Sequence, residues 1–289
     1  MYKIVILGCE NSHADKFLKT IKENEAYKDV QVIGIYSDDD TAADKLCGEF
    51  GVYKMKSYDE LIGNVDGVVV TARHGDNHYK YAKPYIKSGV PMFIDKPITV
   101  SESDAIEMMR EFKENGVRFC GGSMCIYAEK VQELKAAIEK KEFGEVVGGY
   151  VRAPISLENE YGGFYFYSQH LVQMVTQIFG NDIKSVLATK NDRTVSVVFR
   201  YEKFDITAQF TDNCYAYFGA VAFEKGNEGG VIKLDGCFDG EFQTFYSVLT
   251  GGESECSAYD FIKPVFILNA LDRALISGKE EKVNTYEVN

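Results

Sequence analysis

Short, nearly continuous apolar runs separated by helical patterns fill the first third of the chain. The runs are YKIVIL at 2–7, VQVIGIY at 30–36, GVVVT at 67–71, VPMFI at 90–94 and VRFC at 117–120. Helical spacing covers 13–24, 41–50, 58–62, 76–88 and 101–114, with Phe17, Leu18 and Ile21 on one face of the first. Thr41 and Ser101 stand at N-cap positions, and Ser101 has Asp104 in capping-box-like spacing. Strands this apolar, alternating with helices, predict a parallel sheet covered on both faces. Right-handed crossovers make such a sheet doubly wound.

After about residue 122 the pattern changes. A helix is predicted at 128–141, and strands at 145–153, 183–190, 194–201, 204–212, 215–224 and 230–236. Asn191-Asp192 and Gly226-Asn227 read as turns, and helices are predicted at about 165–179 and 258–277. This is the grammar of a mainly antiparallel open sheet. The expected layout is α/β, with a doubly wound domain at 1–122 and an α+β domain at 123–289. A one-sided sheet carrying Phe199, Tyr201, Phe210, Tyr215 and Tyr217 would expose some of those rings, so a homo-oligomer built on that sheet is expected. Light scattering at micromolar concentration tests this; a monomer would refute it.

Composition narrows the function. With 289 residues, 45% of them apolar and 26% charged, the chain suits about two folded domains. No run approaches the ~18 apolar residues of a membrane span, and the N-terminal run reads as a first strand rather than a signal peptide. The net charge of −12, without a basic block, argues against nucleic acid and anionic membranes as partners. Seven cysteines, an odd count without a CxxC, argue against a zinc or disulfide framework and for a cytoplasmic location.

Candidate chemistry collects where predicted strands end. After the first strand comes Gly8-Cys9-Glu10-Asn11-Ser12-His13. A G-x-G-x-x-G fingerprint would put glycines at 8, 10 and 13, and only Gly8 fits. The segment is either a phosphate-facing turn or an ordinary strand–helix turn. Asn11 and Ser12 could donate to phosphate, whereas Glu10 opposes a reactive Cys9 thiolate. Ser37 and three aspartates, Asp38 to Asp40, follow the second strand, where an acid commonly binds the adenosine ribose and acids repel a 2′-phosphate. A solvated acidic turn is the other reading. Thr71, Ala72, Arg73, His74 and His78 follow the third strand, as a cofactor-contacting loop or as helix capping. No metal-ligand set is placed by the sequence. Lys96 follows the fourth strand as Asp95-Lys96-Pro97, an acid/base candidate or a surface lysine. His170 lies on the helix after Gly162-Gly163.

Together and in this order, these segments resemble the glucose-fructose oxidoreductase / inositol dehydrogenase-like (Gfo/Idh/MocA) family. Asp95-Lys96-Pro97 is similar to its Glu-Lys-Pro, Thr71 to His78 to its Thr-Pro-x-x-x-His, and Gly162-Gly163 with His170 to its Gly-Gly…Asp-x-x-x-His. Ser57-Tyr-Asp-Glu-Leu61 and Phe143-Gly-Glu-Val146 also match in place. The resemblance implies a Rossmann domain binding NAD in preference to NADP, and a small-molecule sugar, polyol or related hydroxy substrate. It implies Lys96 and His170 as catalytic groups and Asp95 at the nicotinamide end. Gly8 to His13 would lie under the pyrophosphate, and Ser37 or Asp38 near the ribose. The alternatives are a non-catalytic ligand-binding relative, or NAD-assisted glycoside cleavage or epimerisation. Glu10, His13 and Ser37 depart from the family pattern, as does Phe166 in the aspartate's place four residues before the histidine.

Overall fold

β1 (Tyr2–Leu7), β2 (Val30–Tyr36), β3 (Gly67–Val70), β4 (Met92–Asp95) and β5 (Phe119–Gly122) form a parallel sheet of order β2-β1-β3-β4-β5 in the computed structural model. The structure describes residues 1–254 and 256–286, so residue 255 and the last three of the expected second domain lie outside the described residues. α1 (Ser12–Glu23), α2 (Asp40–Phe50), α3 (Asp76–Ile86) and α4 (Glu102–Asn115) make the crossovers. Every residue of β3 and β4 is buried, as a sheet covered on both faces requires.

Ser101 caps α4, accepting the Asp104 N–H at 3.1 Å. Thr41, expected as the cap of α2, lies inside it. Asp39 caps instead, its carboxylate accepting the Ala42 N–H at 3.1 Å. An ionised oxygen facing a helix N-terminus is the stronger cap. The helix expected at 58–62 is a run of turns. There the backbone bonds span three residues, Glu60 N–H to the Ser57 carbonyl at 3.3 Å and Ile62 N–H to the Asp59 carbonyl at 3.4 Å, which makes successive turns and no α-helix.

The second sheet uses β6 (Val146–Ile155), β7 (Ser185–Lys190), β8 (Thr194–Arg200), β9 (Asp205–Asp212), β10 (Tyr217–Phe223), β11 (Gly226–Ile232) and β12 (Glu281–Lys282). Its order is β11-β10-β6-β9-β8-β7-β12, antiparallel except for β6 beside β9. α5 (Glu129–Lys140) and α6 (Tyr165–Phe179) precede and interrupt it. Gly226 and Asn227, read as a turn, open β11 and pair with Phe223 and Ala222. The tight turn is Glu224-Lys225, held by its N–H groups on the Glu145 and Phe143 carbonyls. The strand period of two points Phe199 and Phe210 inward, and Tyr217 is buried as well, while Tyr215 stays 63% exposed. Of the five rings, of which some were expected outside, Phe199, Phe210 and Tyr217 are interior and Tyr215 is exposed. The outer positions include Val147, Ser196, Thr207 and Val231.

α7 (Cys237–Leu249) was not anticipated, and it changes the chain's division. Phe242, Phe245, Val248 and Leu249 join Ile4, Ile6, Phe17 and Phe93 in one core. Phe17 meets Phe242 edge-on at 5.1 Å. Each such ring stabilises by about 1.5–3 kcal/mol on full burial. One compact unit therefore comprises Met1–Gly122 with Phe238–Phe261. The other comprises Ser123–Cys237 with the described residues from Ile262 onward, through most of α8 (Ala258–Ser277). Residues 238–261 thus leave the continuous second domain expected from 123 onward. Among the described residues, no helix is long and apolar enough to cross a membrane.

Candidate functional site

In the first unit β1 lies between β2 and β3, so the connections after β1 (to β2) and after β3 (to β4) leave in opposite directions at the strands' carboxyl ends. Open α/β sheets bind ligands at that point. Gly8 has φ +86, and a Cβ there would lie 2.3 Å from Ala72 Cα, so only glycine lets the β1 turn approach the β3 loop. The Thr71 hydroxyl donates to the Gly8 carbonyl. Asn11 Nδ2 donates to the Thr71 carbonyl at 2.6 Å and to Asp95 Oδ2 at 3.0 Å. Asp95 Oδ1 accepts the Lys96 N–H at 2.6 Å. Three predicted segments, at 8–13, 71–73 and 95–96, are therefore tied together, with Asp95 and Lys96 buried.

Glu10 spans two of the neighbouring loops. Its carboxylate accepts the Ser37 hydroxyl at 2.6 Å and the Arg73 N–H at 2.9 Å. Asn11 Oδ1 takes the His13 N–H at 2.7 Å, so the start of α1 is partly self-capped. Burial, then the Glu10 charge, pushes the Cys9 thiol up to about 12, which makes it a core side chain rather than a nucleophile. Asp38 accepts the Tyr36 hydroxyl at 2.6 Å, with Lys80 at 3.9 Å. Burial acts to raise its carboxyl, but the Tyr36 and Tyr81 hydroxyls and Lys80 hold it below its ordinary range. Ser12 is exposed at the first turn of α1.

His13 fills the third fingerprint position with a buried imidazole. Nδ1 lies 3.2 Å from Asp95 Oδ2, and Nε2 lies 3.2 Å from Glu241 Oε2 on α7. All three residues are at most 3% exposed. Ligand-type atoms of the trio fall within 4.8 Å of one another, close enough for a metal ion. Yet each ring nitrogen faces its own carboxylate, which is how an imidazolium sits between two anions. Burial opposes that charge, and Asp95 and Glu241 outweigh it, so His13 holds its proton above its ordinary range. Glu241 is raised to about 7, by burial first and against the pull of His13.

The two histidines of the 71–78 loop part company. His78 is buried, its Nε2 2.7 Å from the Ala72 carbonyl, and burial lowers its pKa, so it fixes the loop as a neutral donor. His74 is partly exposed, 3.7 Å from Asp76. In the second unit, His170 on α6 is buried, with Nδ1 2.6 Å from Ser123 Oγ and 3.5 Å from Cys125 Sγ. Phe166 is a buried ring edge-on to Tyr167 at 4.8 Å. An open polar groove of about 730 Å³, lined by Ser156, Glu158, Lys190, Asp192 and Asp212 among others, contains none of the candidate residues. Sequence reading did not single out Glu241 or Ser123. The signals available were apolar Phe238, Phe242, Phe245 and Leu249 at helical spacing, and a lone serine directly after β5.

Residues 2–123 match the GFO_IDH_MocA family, described as an oxidoreductase family with an NAD-binding Rossmann fold. A 2,7-anhydro-N-acetylneuraminate hydratase of Mediterraneibacter gnavus is 25% identical over 213 residues, which are 60% of this chain and 55% of that protein. The chain thus spans about half of that relative's length. GenD2 from gentamicin A biosynthesis, solved with NAD, shares the fold with a TM-score of 0.87 at 15% identity, over 98% of this chain and 97% of that one. The scyllo-inositol dehydrogenase of Lactobacillus casei, solved with NAD(H) and scyllo-inositol, gives 0.85 at 16% identity over 99% and 100%. At these identities the likeness establishes the fold.

Proposed function

We propose that this chain, whose residues 2–123 match the GFO_IDH_MocA family of NAD-binding oxidoreductases, is an NAD-dependent oxidoreductase acting on a sugar, polyol or related hydroxy compound. The observation that carries this reading is Lys96, buried directly after β4 beside Asp95 and tied through Asn11 to the β1 and β3 loops. The scaffold fits a dinucleotide: the close approach at Gly8, a helix start facing the loop, and acids after β2. Glu10 and Asn11 accept from the Arg73 and His13 N–H groups, donors that a diphosphate would use. Gly8 to His13 and Thr71 to His74 would hold the diphosphate, Ser37 and Asp38 the adenosine ribose, and Asp95 the nicotinamide end.

Bound NAD supplies a hydride acceptor for the substrate carbon. Lys96 is the group assigned to the proton that must leave the reacting hydroxyl as the carbonyl forms, and His170 is the catalytic candidate of the second unit. Glu10 weakens the cofactor by placing a carboxylate near phosphate. A second reading keeps NAD bound through a transient oxidation with no net reduction. The hydratase named among the relatives supports a reaction without net oxidation or reduction, since hydration changes no net oxidation state.

Fluorescence titration with reduced NAD and reduced NADP tests the cofactor reading. NADH should bind more tightly, because Asp38 to Asp40 repel a 2′-phosphate. Glu10→Ala should tighten NADH about tenfold by removing a like charge. Equal NADPH affinity would overturn the ribose argument, and no binding by either protein would favour the non-catalytic alternative.

A further inference from the structure

We propose that Ser123 is a positioning residue that holds His170 as the neutral Nε2–H tautomer, so that His170 serves as a hydrogen-bond donor and not as the base. The reasoning is a count of hydroxyl valences. Ser123 is fully buried, and its Oγ accepts the Cys125 N–H at 3.2 Å, as the cap of the short turn Met124–Tyr127. That hydrogen bond uses one lone pair and leaves the hydroxyl hydrogen to be placed. Among the described residues, the strong acceptor within its reach is His170 Nδ1 at 2.6 Å.

Were Nδ1 protonated, two hydrogens would face each other or the serine hydrogen would lie buried without an acceptor. Leaving a buried donor unmade disfavours that state by roughly tenfold to hundredfold. Cys125 Sγ, 3.5 Å from the same nitrogen, brings a second group able to donate. A carboxylate on Nδ1 in the place of the serine hydroxyl would do the reverse, demanding Nδ1–H and leaving Nε2 as a base.

The consequence for chemistry rests on the dehydrogenase reading. An imidazole with Nε2–H cannot take a proton at that atom, but it can donate to an oxygen on which negative charge develops. The proton that leaves the substrate hydroxyl would then be taken by a base other than His170. This division of labour differs from a carboxylate–histidine pair, in which the imidazole itself carries the proton.

The test is a long-range proton–nitrogen NMR spectrum of protein labelled with nitrogen-15 histidine, taken near neutral pH. The chain has four histidines, and His170→Gln identifies the relevant signals by their loss. The expected spectrum shows a protonated-type Nε2 and an unprotonated-type Nδ1 for His170. Ser123→Ala should raise the Nδ1–H population at least tenfold, and Ser123→Thr, which keeps the hydroxyl, should restore the wild-type pattern. With a turned-over substrate, Ser123→Ala should lower kcat more than it changes KM. A wild-type His170 with Nδ1–H or as imidazolium overturns the proposal, as does a Ser123→Ala spectrum identical to wild type. The spectrum needs neither cofactor nor substrate, so an inactive protein sinks the dehydrogenase reading while the tautomer is still decided.

Discussion

Lys96→Ala is expected to cut turnover by about 10²–10⁴, or roughly 3–5 kcal/mol of barrier, while leaving NADH affinity within a few-fold of wild type. The asymmetry follows from placement. Lys96 is buried at the end of β4, and the substitution removes the amine proposed to handle the proton while keeping the backbone N–H that Asp95 engages. Lys96→Arg should not rescue, because a guanidinium does not give up its proton near neutral pH. His170→Ala should cost about 10²–10³, the usual worth of one donor to a developing oxyanion. Steady-state kinetics on a substrate found by screening polyols and sugars, beside NADH titration, reads both effects. Wild-type turnover in the Lys96→Ala protein would remove Lys96 from the mechanism.

The parts of this site legible in the sequence are those carried by single strands and the turns after them. β1, β3 and β4 are continuous apolar runs, and their carboxyl ends can be located to within a residue or two, which places Gly8, Thr71, Asp95 and Lys96. α6 was legible from its amphipathic spacing, and so was the position of His170 on it. What stayed hidden was long-range pairing. Glu241 has meaning only because α7 returns to the first sheet, and nothing local at Gly240-Glu241 announces a partner at His13. Likewise Glu10 reads as a defect in a glycine fingerprint until Ser37 and Arg73 are seen to donate to it. Ser123 looks like a loop residue until its hydroxyl hydrogen has to be placed.

His13→Gly supplies the sharpest test of that long-range pairing, because it restores a fingerprint glycine and should nevertheless do harm. Removing the imidazole leaves Asp95 and Glu241 facing each other in a space with almost no solvent. Losing one partner of a buried ion pair typically costs about 3–5 kcal/mol, and a glycine in the first turn of α1 adds up to about 1 kcal/mol. Urea denaturation should show that loss, and His13→Gly with Glu241→Leu should recover part of it by removing the stranded charge. pH supplies an independent reading. Both Glu241 and His13 hold protons more tightly folded than unfolded. Their contribution is therefore complete at acid pH, where both states are protonated. It declines from the ordinary carboxyl range upward through about 7, and further as His13 loses its proton. The difference in stability between wild type and Glu241→Gln should accordingly shift against wild type as pH rises from 5 to 8. A His13→Gly protein as stable as wild type, or a difference flat across that range, would mean that α7 is held to the start of α1 by its phenylalanines alone.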